Sequence, residues 1–230
     1  MSTVFENSVF FGVMISLITY EIGIQLKKKF HFAFFNPLLI SIVLTILVLV
    51  ACSVDYESYY EGARYLSYFL TPATVCLAIP LYEQLELLKQ NWKAVMLGIV
   101  SGVLTSLVCV LALAVLFQLD HKMYITLLPK SITTAIGMSI SEEMGGYVTI
   151  TVAVIVITGV IGNMMAETIL KWFRIEEPIA KGIAIGTASH AMGTSKAIEI
   201  GEIEGAMSSL SIAVAGLLTV VGANIFFNFL

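Results

Sequence analysis

The chain has 230 residues, 58% of them hydrophobic and 12% charged, with a formal net charge of −4. Soluble domains carry about 25% charged residues, so the composition excludes a water-exposed surface of ordinary extent. The acidic balance also offers no electrostatic footprint for a nucleic-acid partner.

Asp, Glu, Lys and Arg are absent from 32–54, 65–82, 94–119, 144–166 and 205–230. A helix needs roughly 20 apolar residues to cross about 30 Å of hydrocarbon, and these runs have that length. The expected fold is an all-α polytopic membrane protein of about 6–8 transmembrane segments, with 1–230 forming a single integral membrane domain. Apolar segments are drawn at 7–26, 35–54, 64–82, 94–118, 123–141, 147–170, 179–200 and 205–229.

In chain order, the first run has no basic residues before it and carries Glu6, and Lys27, Lys28 and Lys29 follow it. That pattern predicts a retained helix with an extracytoplasmic N-terminus and a cytoplasmic basic loop that includes His31. Glu21 can sit at the interface or be buried in the bundle. The acidic stretch Asp55–Glu61 is then expected as an outer loop, and Lys89 and Lys93 return the chain to the cytoplasm. Cys52, Cys76 and Cys109 all lie in apolar runs, which speaks against a disulfide framework or a metal site. The histidines at 31, 121 and 190 match no metal-ligand spacing.

Segments 2, 4, 6 and 8 are plain and aliphatic. Gly98 and Gly102 in the fourth form a G-x-x-x-G that fits close helix packing. Segments 3, 5 and 7 are interrupted: "FLTPATVCLAIPLYEQ" by Pro72 and Pro80, "TLLPKSITTAIGMSISEE" by Pro129, Lys130 and Gly137, and "GIAIGTASHAMGTSKAIEIGE" by Gly182, Gly186 and Gly193. Residues 70–83 align with 127–140 at an offset of 57, which suggests repeat units at 64–118, 123–172 and 178–230. If segments 5 and 7 crossed fully, Lys171, Arg174 and Lys181 would lie outside, against the positive-inside rule. Two segments re-entering from opposite faces satisfy it, as in inverted-repeat transporters. Discontinuous full crossings are the alternative.

Irregular backbone at membrane depth is tolerated only inside protein or beside a water-filled cavity, so the broken segments mark the candidate site. They supply Lys130, Ser131, Thr133, Thr134, Ser189, His190, Thr194 and Ser195. Lys130 can bind an anion with the hydroxyls and free amides of a half-helix N-terminus, or snorkel to the outer interface. His190 can pack through hydrogen bonds or carry a proton. Lys196 and Glu199, at i and i+3, are expected to pair. No arrangement resembles catalytic machinery: the glycine spacing before Lys196 is wrong for a phosphate loop, and adjacent Ser195 and Lys196 diverge on a helix. No enzyme activity, cofactor or metal is expected.

"FLTPATVCLAIPLYEQ", "LLPKSITTAIGMSISEEMGG" and "GIAIGTASHAMGTSKAIEIGEIEGAMSSLS" closely resemble the hallmark blocks of the LrgB/CidB family. The resemblance implies one of two functions. One is antiholin-like regulation of murein hydrolase activity and lysis, alongside a small LrgA/CidA-type membrane protein. The other is transport of small monocarboxylates such as pyruvate, glycolate or lactate, as in the plastid glycolate/glycerate translocator. The loaded broken segments favour the carrier. Lys130, Ser131, Thr133, Thr134, Ser189, His190, Thr194 and Ser195 are then expected to bind the substrate, with His190 coupling a proton. A homo-oligomer in the cell membrane is compatible with either reading.

Overall fold

The computed structural model describes residues 9–30 and 35–230. Glu6, the first residues of segment 1 and His31 lie outside them. Every regular element among the described residues is helical. Among the described residues five stretches are long and apolar enough to cross a membrane: Phe10–Phe30, Tyr56–Glu83, Leu85–Leu116, Val148–Trp172 and Glu202–Phe229. The chain is a multi-pass membrane protein that divides into two compact units after Cys76.

The first unit contains α1 (Val9–Phe30), α2 (Pro37–Cys52), α3 (Tyr56–Ser67) and α4 (Leu70–Cys76). With no hydrophobic force between helices in lipid, small residues and hydroxyls hold such helices together. Thr19 of α1 bonds both Ser41 and Thr45 of α2 at 3.0 Å, and Ser16 bonds the Tyr59 hydroxyl at 2.8 Å. Glu21 is exposed and accepts from Gln25, the interfacial alternative. The expected loop at Asp55–Glu61 is instead the start of α3, because Asp55 caps the helix by accepting from Ser58. Pro72 stands in the first turn of α4, a place where a missing amide costs little.

The second unit contains α5 (Ala78–Glu83), α6 (Leu85–Leu116), α7 (His121–Leu127), α8 (Thr134–Glu143), α9 (Val148–Trp172), α10 (Pro178–Ile200) and α11 (Glu202–Phe226). A 3₁₀ turn, Phe227–Phe229, follows α11. At 1.5 Å per residue α6 is about 48 Å long, so it outruns the hydrocarbon; the expected start at 94 falls nine residues late. Its first turns, "LELLKQNWK", are polar yet rich in good helix formers. A left-handed residue closes α6 and α9, Gln118 and Arg174 respectively, as Ser53 does for α2. In each case the next amide reaches back to the helix (Ile175 N to Leu170 O, 2.9 Å).

Segments 5 and 7 fold back on themselves as hairpins, the shape that re-entry requires. The first runs down α7, turns through Leu128–Thr133 and returns along α8. Its two ends meet: Lys122 Nζ lies 4.2 Å from the Tyr147 ring centroid, and the Tyr147 amide donates to Thr126 Oγ1 at 2.9 Å. Buried Thr151 of α9 ties the arms together through Thr126 O (2.9 Å) and Ser141 Oγ (2.7 Å). The α11 terminus lies at the same end, where the Tyr124 hydroxyl donates to Phe226 O at 2.9 Å.

The second hairpin is α10, continuous by hydrogen bonding but bent back on itself at His190, whose φ and ψ are 44° and −140°. The entering arm climbs α11: Gly182 packs on Glu204 and Met207, and Gly186 on Ser208 and Ser211. The returning arm descends it, with Thr194 bonded to Ser208 and Ile198 against Gly205. Its mouth is therefore at the start of α11 and the end of α9, opposite the mouth of the first hairpin. A hairpin followed by a long helix thus occurs twice, at 121–172 and 178–226, in opposite senses. Lys89, Lys93, Lys171, Arg174 and Lys181 fall at one end of this unit, hereafter the basic end.

The two mouths are fastened differently. Hydroxyl hydrogen bonds and the Lys122–Tyr147 contact hold the first, with no ion pair among the described residues. The second is bridged by ion pairs, Lys196 to Glu167 of α9 at 2.6 Å and Lys181 to Glu204 of α11 at 3.7 Å.

Candidate functional site

The first tip is built by Pro129, whose missing amide and ring end α7. Lys130 follows it, partly buried, and among the described residues it has no carboxylate partner. A lysine at the bilayer centre costs at least about 2.5 kcal/mol on insertion scales, so its ammonium needs compensation from another source. Lys130 Nζ donates to Ser131 Oγ at 2.8 Å, and Ser106 of α6 donates to the same oxygen at 3.2 Å. An oxygen accepting twice keeps its own hydrogen free to donate. The next arm begins at Thr134 with Thr133 as an N-cap that makes no side-chain bond. Its first-turn amides therefore present the positive end of the α8 dipole beside Lys130. Thr133 and Thr134 are half-buried there, with no hydroxyl partner among the described residues. Ammonium, hydroxyl and uncapped amides together form a cradle of donors suited to an anion.

The second tip is buried and strained. His190 is 3% exposed, and its Nε2 lies 3.1 Å from Ile155 O. A carbonyl only accepts, so Nε2 carries the hydrogen. Gly159 makes room for the ring: a Cβ there would stand 2.8 Å from Nε2. Ser189 is buried, with its hydroxyl against Gly162. Thr194 Oγ1 bridges His190 O at 3.0 Å and Ser208 Oγ at 2.7 Å. The glycines of this stretch were expected to loosen the backbone. They do not: Gly182, Gly186 and Gly193 sit within helical arms at close contacts, and the break falls on a histidine.

Both tips meet the same helices. One stripe of α6 touches first Ile183 from Gly98, then Thr187 from Gly102, then Ser131 from Ser106. Thr187 and Ser131 are thus served by positions four residues apart, about 6 Å along the helix. On α9, Ile155 gives its carbonyl to His190 and its side chain to Gly137 of α8. Lys130, Ser131, Thr133 and Thr134 belong to the first tip, and Ser189, His190 and Thr194 to the second. Ser195 joins neither: the side chain is exposed and bonded to Asn163 at 3.1 Å and Met192 O at 2.8 Å. Lys196 pairs with Glu199 as its spacing implies, at 3.1 Å, and also with Glu167.

Thr187 is a polar residue of the seventh segment; Ser106, Ser208 and the Ile155 carbonyl, which sequence reasoning missed, lie outside the broken segments and carry no comparable mark in the sequence. The one signal for Ser106 is that Gly98-Gly102-Ser106 continues a small residue every fourth position. Among the described residues no three His, Cys, Asp or Glu side chains gather as a metal set.

The LrgB-like family model matches residues 16–229. The chain is 41% identical to "Antiholin-like protein LrgB" of Bacillus mycoides, and 40% identical to proteins of that name from Bacillus cereus and Bacillus anthracis. Each alignment spans 222 residues, 96% of this chain and 96% of the relative. No solved structure matches the chain.

Proposed function

The chain belongs to the LrgB-like family, and we propose that it is a non-enzymatic carrier for small monocarboxylate anions of the pyruvate, glycolate or lactate kind. The observation that carries this reading is the Lys130 tip, an ammonium without a carboxylate partner among the described residues, beside uncapped half-helix amides and an available Ser131 hydroxyl. A packing scaffold has no use for that arrangement. The substrate carboxylate takes the place of Lys130's missing counter-ion. Ser131, Thr133 and Thr134 orient its remaining oxygens, and Ser189 and Thr194 line the facing tip. Ser195 has the weakest geometric case of the eight.

His190 is the proton carrier in this reading. Co-transport of a proton removes the cost of moving an anion against a negative-inside potential, about 2.3 kcal/mol per charge per 100 mV. The basic end faces the cytoplasm by the positive-inside rule, in a cell membrane, with an extracytoplasmic N-terminus. A small LrgA-type membrane protein and further copies of the chain are its proposed partners.

Uptake of labelled pyruvate, glycolate and lactate into proteoliposomes, with and without an LrgA-type protein, tests the proposal. Saturable flux that Lys130→Ala abolishes and Lys130→Arg partly keeps is expected. No saturable flux in either preparation overturns it. The relatives' name favours a second reading, regulation of autolysis as an antiholin-like protein. That reading predicts that Lys130→Ala leaves autolysis rates of expressing cells unchanged, because the packing surfaces survive.

A further inference from the structure

At the basic end, a cavity of about 530 Å³ opens between the end of α9 and the mouth of the second hairpin. This volume falls in the roughly 300–1,000 Å³ range of ligand pockets, and none of the proposed substrate-binding residues lines it. Its charges are mostly engaged. Glu167 is bound by Lys171 and Lys196, Glu199 by Lys196, and Lys181 by Glu204. Two lining groups have no partner among the described residues, the Arg174 guanidinium and the Glu176 carboxylate. The rest of the wall includes Leu170, Ile175 and Ile200, more apolar surface than a free ion would require. Trp172 and Phe173, 72% and 73% exposed, flank it on the same turn. Exposed aromatics at the end of a spanning helix sit at headgroup depth.

A ligand that fits carries one phosphate, one hydrogen-bonding cation and an apolar tail. We propose that this cavity binds an aminophospholipid headgroup of the phosphatidylethanolamine type. The phosphate pairs with Arg174, whose guanidinium suits phosphate geometry, and the primary ammonium donates to Glu176. The glycerol ester region lies along Ile175 and Leu170, with the acyl chains beside Trp172. Phosphatidylglycerol lacks the cation and meets Glu176 with repulsion. Phosphatidylcholine has the cation but no N–H to donate. Arg174 holds its position at φ 52°, so Arg174→Gly removes the guanidinium while relaxing the backbone. This inference does not depend on the carrier reading.

The chain has two tryptophans, and Trp92→Phe leaves Trp172 as the sole indole. Reconstituted into vesicles containing a minor fraction of acyl-brominated lipid, Trp172 should be quenched by phosphatidylethanolamine with about ten-fold enrichment over phosphatidylcholine. That is the factor expected from one hydrogen bond between charged groups. Glu176→Gln should erase the preference for phosphatidylethanolamine over phosphatidylglycerol, and Arg174→Gly should bring quenching by phosphatidylethanolamine down to its bulk mole fraction. Glu202→Gln, an exposed carboxylate outside the lining, should change nothing. Quenching that follows bulk mole fraction for all three lipids overturns the proposal. So does its abolition by submillimolar free phosphoethanolamine, which would assign the cavity to a soluble ligand.

Discussion

Replacing His190 with alanine and with glycine separates backbone strain from side-chain contacts. The native residue has φ 44° and ψ −140°, a region that glycine occupies freely and other residues reach at about 1–3 kcal/mol. Both variants lose the Nε2 bond to Ile155 O, about 1 kcal/mol, and the packing of a buried ring. These losses are common to the pair and cancel in their difference. Alanine keeps the strained backbone, whereas glycine relieves it and adds about 0.5–1 kcal/mol of unfolded-chain entropy. His190→Gly should therefore be more stable than His190→Ala by about 1 kcal/mol. Within an ordinary helix the order is reversed, with glycine worse by about the same amount. Equilibrium unfolding by SDS titration in mixed micelles, followed by circular dichroism, measures the difference. Alanine ahead of glycine would refute the bend at 190. If the imidazole carries the transported proton, both variants lose the pH dependence of uptake, whatever their order in stability.

Three further outcomes follow from the packing. Gly162→Ala places a methyl group on the Ser189 side chain and should cost about 1–3 kcal/mol as overpacking; the double variant with Ser189→Gly should recover most of it, and a strictly additive double would refute the contact. Thr151→Val removes the hydroxyl that ties Thr126 to Ser141 and should cost about 1 kcal/mol, read as faster hydrogen exchange at the Tyr147 amide. Unchanged exchange there would show that the first hairpin is held otherwise. Bonds from the Ser58 hydroxyl and amide keep the Asp55 carboxyl below its ordinary value of 3.8. The cap on α3 is complete above the unfolded value and is lost as pH falls through the lower folded one. An NMR titration of the Ser58 amide should show its inflection below 3.8 and none in Asp55→Asn; an inflection above 3.8 is the contrary result.

Much of this architecture is legible in the residue pattern, for physical reasons that also set its limits. The lipid phase excludes charge so strongly that uncharged runs of the right length mark the spans. The basic residues at 171, 174 and 181 similarly favour two hairpins over two crossings. Helix ends are less legible, because "LELLKQNWK" and "YESYYEGARYLS" are amphipathic surfaces that extend helices without a hydropathy signal. Lys130 was visible because a charge in an apolar run is conspicuous beside a proline. Ser106 is marked only by its place after Gly98 and Gly102, which does not reveal its bond, since one hydroxyl on a smooth helix satisfies itself by back-bonding as readily as by reaching a neighbour. Nor does composition reveal which residue of "GTASHAMG" takes the bend. Glycines suit both a turn and a close helix contact, and here they serve the contact.

The unequal fastening of the two hairpin mouths means that they answer to different solution variables. Salt at physiological strength screens exposed charges beyond about 8 Å, and the Lys196–Glu167 and Lys181–Glu204 clasps stand where solvent reaches them in part. Rising ionic strength on the basic side weakens the hold on the second hairpin. It leaves the Thr126–Thr151–Ser141 clasp of the first untouched, because uncharged hydroxyls have no ionic atmosphere to exchange with. The compartment at each end of the bundle therefore sets the grip on its own hairpin, and salt acts on the second through two ion pairs but on the first only through the Lys122–Tyr147 contact.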